Sequence, residues 1–124
     1  MKPIKIVLVD DLSFMREVIK NIVKNTGIQV LGEAENGADA VAIYKELNPD
    51  IVLMDITMPV MDGLESLRQI KDYDSEAKVI MCSSLGQQKY IIKAIQYGAR
   101  DFILKPFLSE RIISAITKAA GRNV

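Results

Sequence analysis

Four short apolar runs in this chain, KIVLV, DIVLM, KVIMC and DFIL, each end on a reactive polar residue. The residues that follow them are, in chain order, Asp10 with Asp11, Asp55, Ser83 and Lys105. If the runs are parallel strands of one sheet, their carboxyl ends share the edge at which open α/β sheets place ligands. Because adjacent strands lie ~5 Å apart, we expect three carboxylates, a hydroxyl and an ammonium to converge in one pocket.

The size and composition of the chain are those of one soluble globular domain, which we expect to span residues 1–124. Hydrophobic residues make up 49% of the chain, so a sizeable core can form. The formal net charge is zero, which favours neither nucleic acid nor an anionic membrane as a partner. No apolar run approaches the ~20 residues of a membrane span, and the start MKPIKIVLVDD reaches two aspartates too early for a signal peptide.

Cysteine and histidine usage narrows the chemistry further. The single cysteine excludes an internal disulfide and fits a reducing compartment, so we expect a cytoplasmic protein. Histidine is absent, which excludes histidine metal sites, Ser-His triads and a role as a histidine phosphocarrier.

Strands and helices are predicted to alternate along the chain. The predicted strands are Lys5–Val9, Gln29–Ala34, Ile51–Asp55, Lys78–Cys82 and Asp101–Leu104. Ser13 and Ser109 are expected to be the N-caps of the first and last helices. The first helix is expected to stop at Gly27, and Gln87–Tyr97 to form one helix that Gly98 closes.

Five strand–helix units with short loops predict a doubly wound α/β fold of the flavodoxin-like (βα)5 type, with helices on both faces of a five-stranded parallel sheet. We choose the strand order 2-1-3-4-5, because it places the first and third strands side by side. In that order Asp10, Asp11 and Asp55 become neighbours.

The acidic residues have a plain interpretation beside the functional one. An acidic loop or helix N-terminus explains Asp10 and Asp11 equally well when they are taken alone. Asp55 is harder to explain in that way, because it ends an apolar strand. Neighbouring carboxylates raise one another's pKa unless a cation neutralises them, and Mg²⁺ prefers such oxygen ligands and often shares them with phosphate. The pattern therefore indicates a magnesium site.

Ser83, Lys105 and Phe102 carry weaker signals when each is considered separately. Ser83 is more simply a satisfied hydroxyl at a strand end, Lys105 a solvated lysine and Phe102 a core aromatic. Pro106 strengthens the case for Lys105, because it ends the strand and because Xaa-Pro is where cis peptide bonds occur. Chance would not readily place polar residues of these kinds at the ends of all four predicted strands in this order.

The motifs at the four strand ends are LVDD (Leu8–Asp11), MDITMPVMDG (Met54–Gly63), CSS (Cys82–Ser84) and FILKPF (Phe102–Phe107). Together they resemble the receiver domain of bacterial two-component response regulators, over essentially the whole chain. Within that family, the stretches DLSFMR and SSLGQQ are similar to the stand-alone chemotaxis regulators. The order 2-1-3-4-5 is also the order of chemotaxis regulators of this fold, so it is not independent evidence.

The resemblance implies a role for each acidic residue. Asp55 is then the phosphoacceptor. Mg²⁺ is bound directly by Asp11, by Asp55 and by the backbone carbonyl of Thr57, and Asp10 acts mostly through water.

The resemblance also implies a switch. Ser83 would donate a hydrogen bond to a phosphoryl oxygen, Lys105 would pair with that group, and Phe102 would change rotamer. The Lys105–Pro106 peptide bond would be cis. Many family members carry Thr and Tyr where this chain has Ser83 and Phe102, so Phe102 lacks a hydroxyl that others can use.

The implied function is a signalling switch and not an enzyme, since the chain would act only on its own acyl phosphate. Its partners would be a sensor histidine kinase, an output protein such as the flagellar motor switch, and a phosphatase, with no nucleic acid or membrane and with the chain a monomer. Apolar residues of the fourth helix cover a wider arc than one buried face needs, so we expect an exposed output surface. Its residues are Tyr90, Ile91, Ile95 and Phe102.

Other functions are compatible with parts of this pattern. A flavodoxin-like cofactor binder shares the fold, but the acidic pocket would repel a flavin phosphate. The chain could be the receiver module of a larger DNA-binding regulator, or a phosphorelay intermediate. A magnesium-dependent aspartyl phosphatase also uses a strand-end aspartate as its nucleophile. That class has a second aspartate two residues later, where this chain has Thr57, so the sequence disfavours it.

Overall fold

Parallel strands alternate with helices in the computed structural model, which describes residues 2–84 and 87–122. The strands are β1 (Ile4–Val9), β2 (Ile28–Ala34), β3 (Ile51–Asp55), β4 (Val79–Ser83) and β5 (Asp101–Leu104). The helices are α1 (Ser13–Val23), α2 (Gly37–Leu47), α3 (Gly63–Tyr73), α4 (Ile91–Gln96) and α5 (Ser109–Ala119). None of the described helices is long and apolar enough to cross a membrane.

The sheet has the order β2-β1-β3-β4-β5, which confirms the predicted strand order and the doubly wound fold. All neighbouring strands are parallel. In the register, Val9 pairs with Met54, and Asp55 pairs with Cys82. The carboxyl ends of β1, β3 and β4 are therefore level with one another, and the polar residues that follow them meet at one edge of the sheet.

Both faces of the sheet are buried, as near-continuous apolar strands predict. Along β3, Val52 and Met54 pack with residues of α2 and α3, whereas Ile51 and Leu53 pack with residues of α1 and α5. This alternation follows from the two-residue period of a strand. Every position of β3 and β4 is buried, so the site residues at their ends start from a well-packed frame.

Two helix starts differ from the sequence expectation. Ser13 and Ser109 are the first residues of α1 and α5, and the N-cap positions belong to Leu12 and Leu108, which make no side-chain cap hydrogen bond. The expected capping by the two serines is therefore wrong. A capping side chain must belong to the extended residue before the first turn, and here the leucines hold that conformation.

Side chains do cap α2 and α3. Asn36 accepts a hydrogen bond from the backbone of Asp39 at 2.8 Å, and Asp62 accepts one from the backbone of Glu65 at 2.9 Å. Each bond satisfies one of the N–H groups that the first turn of a helix leaves without a partner. The caps thereby fix the loops that lead from β2 and β3 into these helices.

α1 ends at Val23, before the Gly27 that was expected to stop it. Asn25 has a φ of 63°, a left-handed conformation that asparagine tolerates better than most residues. The hydroxyl of Thr26 donates to the Val23 carbonyl, which the helix end would otherwise leave unbonded. A separate turn thus lies between the end of α1 and Gly27.

The single helix expected over Gln87–Tyr97 is also wrong, because α4 begins only at Ile91 after a 3₁₀ turn over Gln88–Tyr90. The backbone N–H of Gln87 donates to the Ser84 carbonyl at 3.1 Å, and the N–H of Tyr90 donates to the Gln87 carbonyl at 2.9 Å. Both bonds span three residues, which is the spacing of a 3₁₀ turn. The chain is therefore more tightly wound over Gln88–Tyr90 before it becomes α-helical.

We expect Asn36→Ala to lower the free energy of unfolding by about 1 kcal/mol, because it removes the cap of α2. Ser109→Ala is the matched control: it also places alanine at a helix start but removes no cap hydrogen bond, so its effect should stay below about 0.5 kcal/mol. Urea denaturation of both variants measures the difference. Equal losses for the two variants would contradict the assignment of the caps.

Candidate functional site

Two strand ends bring three carboxylates together at the carboxyl edge of the sheet. Asp10 and Asp11 follow β1, and Asp55 is the last residue of β3. Oxygen atoms from the three side chains lie within 4.8 Å of one another. Asp10 and Asp55 are buried whereas Asp11 is exposed, so the cluster faces solvent on one side. The three aspartates are therefore neighbours, as the predicted strand order requires.

Hydrogen bonds fix the loop that carries Asp10. Its N–H donates to the Ala34 carbonyl of β2 at 3.1 Å, and its carboxylate accepts from the N–H of Leu12 at 3.0 Å. The guanidinium of Arg16 on α1 donates to the Asp10 carbonyl and also to the carboxylate of Glu33 on β2, at 2.9 Å. Arg16 therefore links α1, β2 and the acidic loop.

The Lys105 ammonium lies between two of the carboxylates. Its nitrogen is 3.0 Å from Asp10 Oδ2 and 3.5 Å from Asp55 Oδ1. Lys105 follows β5, its backbone N–H donates to the Ser83 carbonyl at 2.7 Å, and the Lys105–Pro106 peptide bond is cis. The lysine side chain therefore reaches across the end of β4 to acidic residues at the ends of β1 and β3.

Burial raises the pKa of the Asp55 carboxyl to about 6, because the protein interior disfavours its charged form. Lys105 lowers this pKa by attraction, whereas Asp10 and Asp11 raise it by repulsion. Burial alone would lower the pKa of the Lys105 ammonium, but the hydrogen bond to Asp10 and the charge of Asp55 outweigh it and hold that pKa above its ordinary value. The site therefore pairs a charged lysine with a carboxylate that a second cation would stabilise.

The donor set fits a small hard cation. Mg²⁺ takes oxygen ligands, retains several waters and shares its ligand shell with phosphate. The solvent-facing side of the cluster leaves room for such waters and for a phosphate group. A cation here would offset the burial and the carboxylate repulsion that raise the Asp55 pKa. Asp10, Asp11 and Asp55 are the residues that could hold it. Thr57 lies two residues beyond Asp55, in the loop that leads to α3.

That loop packs tightly against the acidic site. The Gly63 N–H donates to the Ile56 carbonyl at 2.7 Å. The Gly63 Cα lies so close to the Asp55 carbonyl that a Cβ would collide with it. Ile56 in turn donates its N–H to the Cys82 carbonyl of β4 at 3.1 Å and to the Asp55 carboxylate at 2.9 Å. Glycine is therefore required by close backbone contact, and the loop holds the Asp55 carboxylate in place.

Ser83 ends β4 with its side chain fully buried. Within residues 2–84 and 87–122, its hydroxyl oxygen has no hydrogen-bond partner. A buried polar group without a partner costs free energy and calls for an explanation. Phe102 pairs with Met81 in the sheet register and is half-buried, so its ring is not enclosed by the core. Of the two residues predicted to act as a switch, Ser83 thus has a hydroxyl without a partner among the described residues, and Phe102 has a ring that is only half-buried.

The residues predicted for an output surface divide into two groups. Ile95 is 58% exposed and Tyr90 is 36% exposed, whereas Ile91 and Phe102 are half-buried. Ile92, which was not singled out, is 68% exposed. α4 therefore exposes apolar surface, as predicted, and Ile92 and Ile95 are its most exposed residues.

Gln87 and Arg16 contact the site loops, although the sequence did not single them out. The Gln87 carboxamide donates to Thr57 Oγ1 and accepts from the Ser84 N–H. The partner Thr57 is 30 positions away in sequence, and the Arg16 partner Glu33 is 17 positions away. No local pattern marks bonds of that separation, and the one available signal was the closeness of both residues to site motifs.

Two chemotaxis proteins and one solved complex illustrate what the chain is similar to. It is 56% identical to the chemotaxis protein CheY of Listeria monocytogenes over 117 residues, which cover 94% of this chain and 98% of that protein. It is 55% identical to the chemotaxis protein CheY of Bacillus subtilis over 114 residues, which cover 92% and 95%. It also superposes on the CheX-CheY-BeF3-Mg²⁺ complex from Borrelia burgdorferi with a TM-score of 0.88 and 35% identity, over 94% of this chain and 88% of that one.

The family described as the response regulator receiver domain matches residues 6–117. That span includes the three clustered aspartates, the buried serine at the end of β4 and the lysine that follows β5. The chain therefore belongs to the response regulator receiver domain family.

Proposed function

We propose that the chain is a phosphorylation-activated signalling switch in which Asp55 accepts a phosphoryl group from a sensor histidine kinase. The observation that supports this most is the convergence of three carboxylates within 4.8 Å, with the Lys105 ammonium 3.5 Å from Asp55. Asp55 is the acidic residue that ends a fully buried strand, and its carboxylate accepts a hydrogen bond from the Ile56 N–H at 2.9 Å. We therefore assign Asp55 as the nucleophile.

The same proposal assigns the metal site. Asp11, Asp55 and the backbone carbonyl of Thr57 bind Mg²⁺ directly, and Asp10 acts mostly through water. The ion supplies positive charge that offsets the carboxylates and the phosphoryl oxygens. The raised pKa of Asp55 supports this assignment, because it marks a carboxylate whose charge lacks sufficient compensation.

In the chemical step, a carboxylate oxygen of Asp55 attacks the phosphorus of a phosphohistidine. The new P–O bond forms as the P–N bond to the histidine breaks, so the product is an acyl phosphate and a free histidine. The histidine comes from the kinase, because this chain contains none. Lys105 moves its hydrogen bond from the Asp10 carboxylate to a phosphoryl oxygen. The chain is no enzyme toward other substrates, since it processes only its own phosphoryl group.

The phosphoryl group then changes the surroundings of Ser83. It offers acceptor oxygens to a buried hydroxyl that has no partner among the described residues. Drawing Ser83 toward Asp55 moves the segment after β4, and the half-buried ring of Phe102 rearranges into the space that is left. A local charge change thereby alters the surface formed by α4, β5 and α5.

The similarity to chemotaxis proteins supports a role in chemotaxis. We propose a sensor histidine kinase as phosphoryl donor and the flagellar motor switch as output partner. We also propose a phosphatase as a partner; the CheY of Borrelia burgdorferi forms a complex with a further protein, CheX, which supports a surface that binds more than one protein. The chain acts as one monomeric domain in the cytoplasm, without nucleic acid or membrane as partner.

We expect Mg²⁺ and acetyl phosphate together to add one phosphoryl group to the wild-type chain, because the small donor needs no kinase contacts. Asp55→Asn should abolish the addition, since the amide is a poor nucleophile. Intact-mass spectrometry at neutral pH measures both. Asp39→Asn, at an exposed carboxylate on α2, is the matched control and should be phosphorylated like the wild type. Modification that survives Asp55→Asn would rule out Asp55 as the acceptor.

We expect Asp55→Asn to stabilise the protein at pH 7 when Mg²⁺ is absent. The pKa of Asp55 is raised from 3.8 to about 6, so the folded state holds a proton that the unfolded state has lost between those values. Wild-type stability therefore falls as pH rises through that window, and the full loss is present above about pH 6. The gain at pH 7 should be about 1–2 kcal/mol, below the ~3 kcal/mol of two pKa units, because solvent screens part of the charge.

Thermal or urea unfolding at pH 4 and at pH 7, with and without Mg²⁺, measures this effect. At pH 4 the two proteins should have nearly equal stability. At pH 7, millimolar Mg²⁺ should stabilise the wild type and have little effect on Asp55→Asn, because ligand binding stabilises only a state that binds it. Equal stability at pH 7 without Mg²⁺ would show that Asp55 is not under the strain that its burial implies.

We expect Ile95→Asp to weaken the binding of the phosphorylated chain to the flagellar switch protein about tenfold or more, because a charge in an apolar interface loses hydration. Tyr73→Asp on α3 is the matched control, because its 57% exposure is nearly that of Ile95 at 58%. Both variants should still be phosphorylated on Asp55. Titration calorimetry measures the affinities, and amide shifts confined to α1 on adding the partner would refute the proposed surface.

A further inference from the structure

One side chain ties Ser84, which directly follows β4, to the loop after β3. Gln87 accepts a hydrogen bond from the Ser84 N–H at 2.7 Å through Oε1, and it donates through Nε2 to Thr57 Oγ1. The Ser84 N–H can only donate, so it fixes which end of the carboxamide faces it. The amide nitrogen must then face Thr57, whose hydroxyl oxygen can accept. The bridge is therefore chemically self-consistent in one orientation.

The backbone around Gln87 holds that side chain in place. The Gln87 N–H donates to the Ser84 carbonyl at 3.1 Å, so Ser84 and Gln87 are joined by two hydrogen bonds. The Gln87 carbonyl accepts from Tyr90 at 2.9 Å, which anchors it to the 3₁₀ turn that precedes α4. A change in position of this turn therefore requires the bond to Thr57 to stretch or break.

The bridge joins the two segments whose separation matters for the switch. Thr57 lies two residues after Asp55, and Ser84 directly follows Ser83. Ser83 is 0% exposed, and its hydroxyl has no hydrogen-bond partner among the described residues. In the proposed switch this hydroxyl moves toward a phosphoryl group on Asp55, and Ser84 moves with it because the two residues are adjacent in the chain. Because Gln87 anchors Ser84 to Thr57, its two bonds oppose that movement.

We propose that Gln87 is a positioning residue, a clamp between Thr57 and Ser84 that holds Ser84 in its unphosphorylated position. The inference rests on the proposed phosphorylation of Asp55. The clamp adds to the cost of bringing Ser83 to the phosphoryl group, so its strength sets how tightly the chain holds a phosphoryl-like ligand. Losing the clamp leaves the reacting atoms untouched and makes the switch easier to turn on.

The clamp itself can be tested without any phosphoryl chemistry. Gln87→Met keeps the length of the side chain but removes both hydrogen bonds. The Ser84 amide should then exchange its hydrogen with solvent at least ~fivefold faster than in the wild type, because one protecting bond is gone. Gln29→Met, at an exposed glutamine on the distant edge strand β2, is the matched control and should leave Ser84 unchanged. Unchanged exchange in Gln87→Met would overturn the proposal.

The positioning role is tested with beryllium trifluoride, a phosphoryl analogue, in the presence of Mg²⁺. Gln87→Met should bind it about three- to tenfold more tightly than the wild type, the range expected from removing hydrogen bonds that only the unliganded state makes. Thr57→Val removes one of the two bonds and should give a smaller increase. The double variant should bind no more tightly than Gln87→Met alone, since the shared bond can be lost only once. Amide NMR titrations measure all four proteins.

The outcomes separate this inference from the proposed function. Faster Ser84 exchange with unchanged analogue affinity would overturn the positioning role alone, because it would show that the contact does not oppose binding. Fully additive effects of the two substitutions would do the same, because they would show that the two side chains act independently and not through their shared bond. If the wild type neither binds the analogue nor accepts a phosphoryl group on Asp55, the proposed function fails and the positioning role fails with it. Only that last outcome touches Asp55, so the two failures cannot be confused.

Discussion

The contacts of Lys105 with Asp10 and Asp55 are the interactions on which the site depends. Buried carboxylates lose hydration and repel one another, so they need a cation close by. The chain supplies this cation from a position 95 residues away from Asp10. β4 lies between β3 and β5 and ends level with β3. The lysine that follows β5 can therefore reach across the end of β4 to the carboxylates. Strand order and charge compensation are therefore a single constraint.

The central strands could be predicted because burial on both faces leaves a plain apolar signal. The bounds of β4 differ by only one residue, since it was expected at Lys78–Cys82 and is found at Val79–Ser83. Helix starts were harder. A serine before an apolar repeat is a common cap signal, but capping depends on which residue is still extended, and Leu12 holds that position before α1. Backbone geometry of this kind leaves little trace in residue type.

The residues of the site were likewise predictable only in part from the sequence. Asp55 and Lys105 stood out because a charged residue at the end of an apolar run is unusual, and the fold then brought them together. Gln87 and Arg16 did not stand out, because polar residues in loops and on helix surfaces are expected there whatever they bind. Their partners are set by tertiary packing, over separations of 30 and 17 residues. Sequence alone therefore indicated the charged centre and missed the bonds that hold its loops.

Backbone hydrogen bonds at the end of β4 connect the residues of the proposed switch. The Lys105 backbone N–H is bonded to the Ser83 carbonyl at 2.7 Å, and the Ile56 N–H to the Cys82 carbonyl at 3.1 Å, so the end of β4 is tied to both neighbouring strands. In the proposed switch, a phosphoryl group on Asp55 would attract the Lys105 side chain and the Ser83 hydroxyl at once, and these two residues are already linked through their backbones. Their proposed movement would therefore be concerted, and it would carry the end of β5 with it. The proposed clamp of Gln87 would oppose this movement from the β3 side, so the phosphoryl group would have to outweigh the clamp in order to move the end of β4.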